Sequence, residues 1–359
     1  MKIYVFGTRG FPGIQGGVEK HCEALYPDLS NNLQITVFRR KPYVSETPIY
    51  RNIRFIDLSS TKIKGFEALF HSLICTFISI WKRPDIIHIH NIGPGCFIPL
   101  LRLFGRKVVL TYHSANYEHK KWGKLSQFFL KISEFIALRF SNRIIFVNKY
   151  QLEKQNISTK KKSVYIPNGT KYFKKIESTE YITSIGLITG KYILAVGRIT
   201  PEKGFDDLVN AFNNLIIDKD YKLVIAGGVE HEGEYWRKLK EKSAHLPIIY
   251  TGVLSSEKLR ELYSHALLFV LSSHNEGFPL VVLEAMQAGC DLILSDIPAT
   301  RLLNLPEHFF YPMGDVNELS KKLMNKIKNN NYTTHSYDLS KYKWSSICQQ
   351  TEEVYNSLT

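Results

Sequence analysis

The residues best suited to chemistry lie in one segment of the second half of the chain. It reads S-S-H-N-E-G-F-P-L-V-V-L-E-A-M at 272–286 and follows an apolar run. Gly277 and Pro279 predict a turn into a helix, whose first N–H groups can bind phosphate oxygens. Glu276 and Glu284 are separated by about 12 Å of helix rise. This separation argues against an acid/base pair, and the two carboxylates can instead hold distant hydroxyls of one extended ligand.

A second candidate site opens the same half of the chain. The predicted strand Tyr192–Val196 runs into G-R-I-T-P-E-K-G at 197–204, so Arg198 lies just past the strand and Lys203 at the start of the next helix. Open α/β sheets bind ligands at the carboxyl ends of their strands. A guanidinium fork and an ammonium group suit a diphosphate, although a solvated loop would have the same pattern.

The beginning of the chain holds a glycine-rich loop, G-T-R-G-F-P-G-I-Q-G-G-V-E at 7–19. Its order of strand, loop and helix predicts a ligand-binding edge, with a simple tight turn as the alternative. It has neither the G-x-G-x-x-G spacing nor a Walker A lysine, and Arg39 to Lys41 stand where a dinucleotide-binding domain has an acid. Near this loop, Arg9, Glu19 and His21 are candidates for contact with an acceptor.

The charge is divided unevenly along the chain. Of the net +14, residues 1–175 carry +19 and residues 176–359 carry −5. A basic half suits nucleic acid, anionic lipid or a phosphorylated ligand, and the lack of zinc-finger or RNP-like patterns argues against nucleic acid. The apolar stretch Phe66–Trp81 and the basic, aromatic stretch Lys120–Arg143 are interpreted either as core helices or as a surface for anionic lipid.

Cysteine, histidine and aspartate spacing predicts no metal site. The five cysteines are scattered and the chain opens without a signal peptide, so we expect free thiols in a reducing cytoplasm. His88 and His90 share one sheet face, but the spacing supplies no third ligand. Asp218-Lys219-Asp220, the one D-x-D sequence, is interpreted as a solvated loop.

Alternating apolar runs and amphipathic stretches predict an α/β fold with two doubly wound domains. We expect a domain at 1–172, a linker at 173–190, a second domain at 191–335 and a terminal helix at 336–359. The predicted strands are Ile3–Phe6, Gln34–Arg39, Ile53–Ile56, Ile86–Ile89, Lys107–Thr111, Arg143–Val147, Ser163–Ile166, Tyr192–Val196, Lys222–Ala226, Ile248–Tyr250, Leu267–Leu271, Leu292–Leu294 and Phe309–Tyr311.

Four features together resemble glycosyltransferase family 4, whose members are retaining enzymes of the GT-B fold. They are E-G-F-P-L-V-V-L-E-A-M, the Arg198/Lys203 pair, Pro167-Asn168-Gly169 and the glycine-rich first loop. The resemblance spans nearly the whole chain and implies two Rossmann-like domains that face an interdomain crevice. The opening loop further resembles a bacterial subgroup that includes rhamnosyltransferases of polysaccharide assembly.

The resemblance also implies residue roles. Arg198 and Lys203 would neutralise the donor diphosphate, Glu276 would bind hydroxyls of the transferred sugar, and Glu284 those of the ribose. His113, just past a predicted strand, would contact the donor sugar as a catalytic residue. The remaining residues expected at the donor are Gly16, Gly17, Gly277, Phe278, Pro279 and Leu280. The terminal helix would return to the first domain.

The resemblance further implies metal-independent, retaining transfer of a hexose or deoxyhexose such as rhamnose. The donor would be a dTDP- or UDP-linked sugar with no further cofactor, and the acceptor a polyprenyl-diphosphate-linked saccharide in capsule or O-antigen synthesis. We expect a cytoplasmic protein held peripherally on the anionic inner face of the cell membrane through its basic half, without a nucleic-acid partner. The alternatives are a nucleotide-sugar epimerase of the same fold and a non-catalytic, membrane-associated binding module.

Overall fold

The computed structural model describes residues 1–14, 16–44, 47–61, 66–115, 117, 123–216, 220–229, 233–329, 332 and 334–359. The chain forms two compact units. The first contains Met1–Gly169 together with Lys341–Thr359, and the second contains Thr170–Ser340. The predicted linker at 173–190 therefore belongs to the second unit, where it includes the helix Glu180–Ser184.

Within its described residues, the first unit has a seven-stranded parallel sheet in the order β3-β2-β1-β4-β5-β6-β7. The strands are β1 Lys2–Phe6, β2 Gln34–Arg40, β3 Ile53–Leu58, β4 Ile86–His90, β5 Val108–Tyr112, β6 Arg143–Phe146 and β7 Ser163–Tyr165. Each residue of β4 and β5 is buried. Their burial on both faces is the arrangement expected when helices cover both faces of a parallel sheet.

The helices of the first unit follow the strands in the order expected of βαβ connections. They are α1 Gly17–Leu25, α2 Glu67–Lys82, α3 Ile98–Leu103, α4 Lys124–Phe140, α5 Lys149–Glu153, α6 Ile157–Lys160 and the last helix of the chain, α14 Trp344–Asn356. Trp344, Ile347 and Tyr355 of α14 join the core cluster that contains Ile3 and Cys22. The chain terminus therefore completes the hydrophobic core of the first unit.

The second unit has a six-stranded parallel sheet among the residues described, in the order β10-β9-β8-β11-β12-β13. Its strands are β8 Tyr192–Val196, β9 Lys222–Ala226, β10 Ile248–Gly252, β11 Leu268–Leu271, β12 Leu292–Asp296 and β13 Phe310–Pro312. Its helices are α7 Glu180–Ser184, α8 Phe205–Asn213, α9 Glu234–Ser243, α10 Ser256–His265, α11 Leu280–Gln287, α12 Pro298–Arg301 and α13 Val316–Asn329. The prediction of two doubly wound α/β domains is confirmed.

Each sheet reverses its strand order at one point. In the first unit β1 lies between β2 and β4, and in the second unit β8 lies between β9 and β11. Ligands of open α/β sheets bind outside the carboxyl ends of the strands at such a switch point.

In the described part of the chain, no helix combines the length and the apolar character needed to cross a membrane.

Candidate functional site

Two loops of the second unit meet at its switch point. One follows β8 and contains 197–204, and the other follows β11 and contains 272–279. The two strands pair directly, with Leu268 opposite Ile193. The segments that the sequence singled out separately therefore lie side by side at one edge of the sheet.

Hydrogen bonds fasten these two loops together. Ser272 Oγ donates to the backbone oxygen of Lys203 at 2.9 Å, and the backbone N–H of His274 donates to the oxygen of Glu202 at 2.9 Å. Gly204 has a φ of +59° and its Cβ position lies 2.2 Å from the Ser272 oxygen. Only glycine fits both the left-handed backbone and this close approach.

Lys203 and Glu276 form the charged centre of the site. Lys203 Nζ donates to Glu276 Oε1 at 2.5 Å, and Ser273 Oγ donates to the same oxygen at 2.7 Å. The two charged side chains are only 16% and 12% exposed. Charge-assisted hydrogen bonds in partly dry surroundings are strong, so the ammonium group is held in place at the sheet edge. Arg198 follows β8 directly and lies on the same loop.

Helix α11 begins at the same edge. Pro279 stands at its N-cap position and has no side-chain group that can cap a helix. The positive end of the helix dipole therefore lies beside the β11 loop, where it favours an anion. Phe278 is buried, and the apolar residues Val282 and Met286 anchor the helix in the core.

Glu284 lies one turn further along α11 and is held by a tyrosine. Tyr263 Oη donates to Glu284 Oε2 at 3.0 Å. Burial raises the pKa of the Tyr263 hydroxyl well above its usual value, with the nearby Glu284 charge as a further cause. Tyr263 therefore stays protonated and fixes the orientation of this carboxylate as a hydroxyl-binding group.

The glycine-rich loop of the first unit follows β1 at the other switch point. Gly7 has a φ of +99°, and its Cβ position lies 2.1 Å from the backbone oxygen of His90. Asn91 Nδ2 donates to the Gly7 oxygen at 3.1 Å. The loop therefore begins in direct contact with the end of β4.

Glu19 folds back over this loop. The backbone N–H of Arg9 donates to Glu19 Oε1 at 3.2 Å, and the Cβ position of Gly16 lies 1.9 Å from Glu19 Oε2. Gly17 opens α1, where no heavy atom of the described neighbours comes within 4 Å of its Cβ position. Glu19 thus shapes the loop, and the predicted acceptor contacts of Arg9 and Glu19 stay predictions.

Three histidines from the sequence analysis lie together in the first unit: the candidate site residues His21 and His113, and His90. His21 lies on α1, His90 ends β4, and His113 follows β5; all three are buried. His90 Nδ1 and His113 Nε2 are 2.9 Å apart, and the rings of His21 and His113 are centred 4.9 Å apart. Burial lowers the pKa of His21 to about 4 and holds the pKa values of His90 and His113 well below the ordinary value. The cluster is neutral at pH 7.

A second layer of polar groups surrounds this cluster. Tyr26 Oη lies 2.6 Å from His90 Nε2 and 3.0 Å from His88 Nδ1. His88 also contacts Tyr355 of α14 at 2.7 Å and Thr111 of β5 at 2.7 Å. Residues from two strands and two helical segments therefore share one buried hydrogen-bond network.

The structure thus forms two candidate groups, one at the switch point of each unit. The first group contains His21, Glu19, Arg9 and His113, and the second contains Arg198, Lys203, Glu276 and Glu284. Of the D-x-D sequence, Asp218 and Lys219 lie outside the described residues.

Sequence reasoning did not assign several supporting residues. Ser273 lies inside the singled-out segment, so its position next to Glu276 was available as a signal. The roles of Tyr263 and Tyr26 could not be predicted from the sequence, because Glu284 and His90, which they contact, lie far away in the sequence and on other elements. Asn168, quoted only as part of P-N-G, accepts a hydrogen bond from His21 Nδ1 at 2.7 Å through Oδ1.

Comparison with known proteins gives two family matches. Residues 15–171 match the model described as Glycosyltransferase Family 4, and residues 180–343 match Glycosyl transferases group 1. A curated relative, alpha-galactosylglucosyldiacylglycerol synthase of Streptococcus pneumoniae, is 28% identical over 240 residues, which cover 61% of this chain and 62% of that protein. The matches span 62%, 48% and 39% of the first three curated relatives, which is less than two thirds of their length.

Solved structures support the fold. Sucrose-phosphate synthase of Thermosynechococcus elongatus aligns with a TM-score of 0.81 at 20% identity and covers 99% of this chain and 98% of its own. HepE of Anabaena, solved with UDP and glucose, aligns with a TM-score of 0.79 at 15% identity and covers 99% of both chains. At these identities the similarity establishes the two-domain architecture.

Proposed function

We propose that this chain, whose residues 15–171 match the family 4 model and whose residues 180–343 match the group 1 model, is a glycosyltransferase that transfers a hexose or deoxyhexose from a nucleoside diphosphate. The observation that carries the proposal is the Lys203–Glu276 pair, 2.5 Å apart and largely shielded from solvent. A cation for phosphate and a carboxylate for sugar hydroxyls are thus adjacent at one sheet edge.

The donor would lie along the edge formed by β8 and β11. Arg198 and Lys203 neutralise the diphosphate, with the positive end of α11 as a third source of positive potential. Glu276 accepts hydrogen bonds from the transferred sugar, and Glu284, oriented by Tyr263, accepts them from the ribose. When the diphosphate binds, its negative oxygens pair with Lys203 and partly replace Glu276 as the counter-charge of this ammonium group.

We propose that the reaction is a same-face transfer. The bond between the sugar C1 and the diphosphate oxygen breaks, and the acceptor oxygen bonds to C1 on the same face. The acceptor's hydroxyl proton passes to the leaving diphosphate. Preorganised cations stabilise the negative charge that develops on that group, so departure of the diphosphate needs no metal ion at this site. His113 is proposed to contact the donor sugar.

A lipid-linked saccharide is the proposed acceptor. The relative from Streptococcus pneumoniae is named as a synthase of a glycosylated diacylglycerol, and this chain has an exposed aromatic surface in its first unit. We define this surface by the exposed residues of α2, α3 and α4, which pack together. Its apolar members are Phe70, Phe77, Trp81, Leu103, Leu125, Phe128, Phe129, Ile132, Phe135 and Phe140.

Basic side chains accompany this aromatic surface. Lys82, Arg102, Lys124, Lys131 and Arg139 are exposed on the same three helices. Lys82 Nζ lies 4.2 Å from the ring centre of Trp81. Aromatic side chains at the headgroup level and cations near anionic headgroups are the two components of interfacial binding. We therefore propose that the protein binds to an anionic membrane surface.

The donor is tested with a thermal-shift panel of UDP-, dTDP-, GDP- and ADP-linked sugars, because a bound ligand raises the apparent stability. The selected donor is then incubated with polyprenyl-diphosphate-linked saccharides, and the product is followed by mass spectrometry. Glu276→Ala and Arg198→Ala should lose at least about 100-fold in rate, as expected for groups that stabilise the transition state. Sugar conversion without an acceptor would indicate an epimerase, and unchanged rates in both variants would refute the site.

The membrane surface is tested by vesicle flotation. Binding to anionic phosphatidylglycerol vesicles should exceed binding to neutral phosphatidylcholine vesicles and weaken with salt. The triple variant Phe77→Ser, Trp81→Ser, Phe135→Ser should lose binding, whereas Ile216→Ser, at an exposed apolar residue of the second unit, should keep it. Binding that ignores both salt and these variants would contradict the proposal.

A further inference from the structure

Strand β2 ends in two arginines that the proposed transfer does not use. Successive side chains of a strand point to opposite faces of the sheet, so Arg39 and Arg40 lie in different surroundings. Arg39 is 1% exposed and donates to both carboxylate oxygens of Asp57, at 2.7 and 2.9 Å, and to Thr47 Oγ1 at 2.7 Å. Its guanidinium group is therefore engaged inside the fold.

Arg40 is also buried but has few hydrogen bonds. It is 9% exposed, and among the described residues its side chain makes one hydrogen bond, from Nη1 to Glu67 Oε1 at 3.5 Å. Its buried Nε–H has no hydrogen-bond partner in the described part of the chain. A buried donor without a partner is costly, above all in a charged group. The nearby His71 supplies no counter-charge, because burial, with the Arg40 charge as a second cause, lowers its pKa to about 4.

Arg9 and Tyr43 lie next to the end of β2. The backbone N–H of Arg40 donates to the backbone oxygen of Arg9 at 2.9 Å, and the guanidinium carbon of Arg9 lies 5.4 Å from the centre of the Tyr43 ring. Tyr43 is 38% exposed and donates through Oη to Glu67 Oε2 at 3.0 Å. Burial raises the pKa of Tyr43, with the hydrogen bond to Glu67 as a second cause, so its hydroxyl group stays protonated as a donor.

Glu67 is held at this place by hydrogen bonds that an anionic ligand can take over. It is the first residue of α2, whose N-cap residue Phe66 makes no side-chain capping bond. The start of a 16-residue helix favours negative charge. The 3.5 Å contact with Arg40 is longer than the roughly 2.7–2.9 Å of a strong charge-assisted hydrogen bond. Phosphate oxygens can therefore replace this carboxylate on both Arg40 and Tyr43.

We propose that Arg40, Arg9 and Tyr43 bind the diphosphate that links the acceptor saccharide to its lipid. A diphosphate carries more negative charge and more oxygens than one carboxylate, so it suits two guanidinium groups and a hydroxyl donor. This inference rests on the proposed function, because it takes the lipid-linked saccharide as the acceptor and names residues that hold it. The donor diphosphate has its own cations, Arg198 and Lys203, in the second unit.

The exposed side of α2 favours a lipid-linked diphosphate over a free one. Phe66, Phe70, Phe77 and Trp81 are exposed, and their spacing of four, seven and four residues places them along one side of the helix. At the helical rise this stripe extends about 22 Å from the start of α2. Its last three members belong to the aromatic surface defined above. A lipid chain held by its diphosphate at Arg40 would contact this stripe.

Calorimetry with farnesyl diphosphate tests the subsite without relying on transfer. The full-length protein is first saturated with the nucleoside diphosphate that the thermal-shift panel selects, so that the donor cations are occupied. Farnesyl diphosphate should then bind, and inorganic pyrophosphate, which lacks the chain, should bind at least about tenfold more weakly. Equal affinities would indicate a site for free diphosphates and overturn the assignment to a lipid-linked acceptor. No binding of farnesyl diphosphate would overturn the subsite itself.

Variants separate ligand binding from a merely structural ion pair. Arg40→Gln and Arg9→Gln should each raise the Kd for farnesyl diphosphate at least about tenfold, the loss expected for one hydrogen bond to a charged group. Glu67→Gln removes the carboxylate that competes with the ligand and should leave this Kd equal or lower. The matched control is Arg54→Gln, at an exposed arginine of β3, and it should leave the Kd unchanged. Equal weakening in Arg40→Gln and Glu67→Gln would show a structural pair and refute the subsite.

Transfer kinetics connect the subsite with the acceptor. In Arg40→Gln the KM for the polyprenyl-diphosphate-linked saccharide should rise at least about tenfold, while the rate with an alkyl glycoside of the same saccharide and the Kd for the nucleotide stay unchanged. Equal losses with both acceptors would contradict a diphosphate contact. Circular dichroism compares the folding of the variants, and if Arg40→Gln does not fold, the opposite responses of Arg9→Gln and Glu67→Gln decide. A protein that binds farnesyl diphosphate but no nucleotide would refute the donor site alone, so the two proposals fail separately.

Discussion

Replacing Lys203 by methionine isolates the cation at the centre of the donor site. Methionine keeps most of the length of the side chain and removes the charge, while Gly204, Ser272 and the backbone bonds of the loop stay in place. The variant also leaves Glu276 without its ammonium partner at 2.5 Å, so a carboxylate faces the incoming diphosphate unneutralised. Both effects act against an anionic ligand.

The expected magnitude follows from the geometry. One hydrogen bond to a charged group contributes about 1.5–3 kcal/mol, and the side chain of Lys203 is only 16% exposed, so solvent screens it little. Since 1.4 kcal/mol is a factor of ten, Lys203→Met should raise the Kd for the nucleoside diphosphate by about 10- to 100-fold. Glu276→Gln removes the repulsion and should leave the Kd equal or lower, while transfer is lost.

Isothermal titration calorimetry at fixed ionic strength, with the nucleotide that the thermal-shift panel selects, measures these affinities. The matched control is Lys238→Met, because Lys238 forms an exposed ion pair with Glu234 at 2.7 Å in the same unit. A Kd for Lys203→Met within twofold of wild type, or an equal weakening in Lys238→Met, would refute the placement of the diphosphate.

Three further predictions concern other parts of the chain. Glu284→Gln should weaken nucleoside diphosphate binding about tenfold but leave inorganic pyrophosphate binding unchanged in the same calorimetric assay, and equal losses for both ligands would contradict a ribose contact. His21 and His71 have pKa values lowered from 6.5 to about 4, chiefly by burial. Between these two pH values only the unfolded chain takes up their protons, so the free energy of unfolding is highest above pH 6.5 and falls towards pH 4, by roughly 3 kcal/mol for His21. A urea midpoint that stays constant over this pH range would contradict this prediction. Arg39→Met should cost about 3–5 kcal/mol in urea unfolding, since buried Arg39 is paired with Asp57 at 2.7 Å, and a loss below 1 kcal/mol would show that the pair is dispensable.

The strands could be predicted because burial on both faces makes them continuous apolar runs. Every predicted strand has a counterpart whose ends differ by at most two residues, such as Ile53–Ile56 against β3 Ile53–Leu58. Helix α3, Ile98–Leu103, was not predicted, because it is short and has a proline in its first turn. Local propensity is too weak to mark a helix of this length.

The candidate site was predictable in its residue types but not in its pairings. Arg198, Lys203, Glu276 and Glu284 stand next to strand ends, which topology places at a sheet edge. The contact between Lys203 and Glu276 joins residues 73 positions apart, so no spacing rule reveals it. His113 and His21 meet His90 only through the strand order, which explains why spacing supplied no third histidine for a metal.

The terminal helix α14 has a consequence for synthesis of the chain. Residues up to 169 are translated before α14, so their hydrophobic core lacks Trp344, Ile347 and Tyr355 until that helix has been made. At typical translation rates the intervening stretch takes roughly ten to thirty seconds. The core of the first unit is therefore completed only after the second unit has been translated, and during that interval its uncovered apolar face makes the nascent chain a client for chaperones.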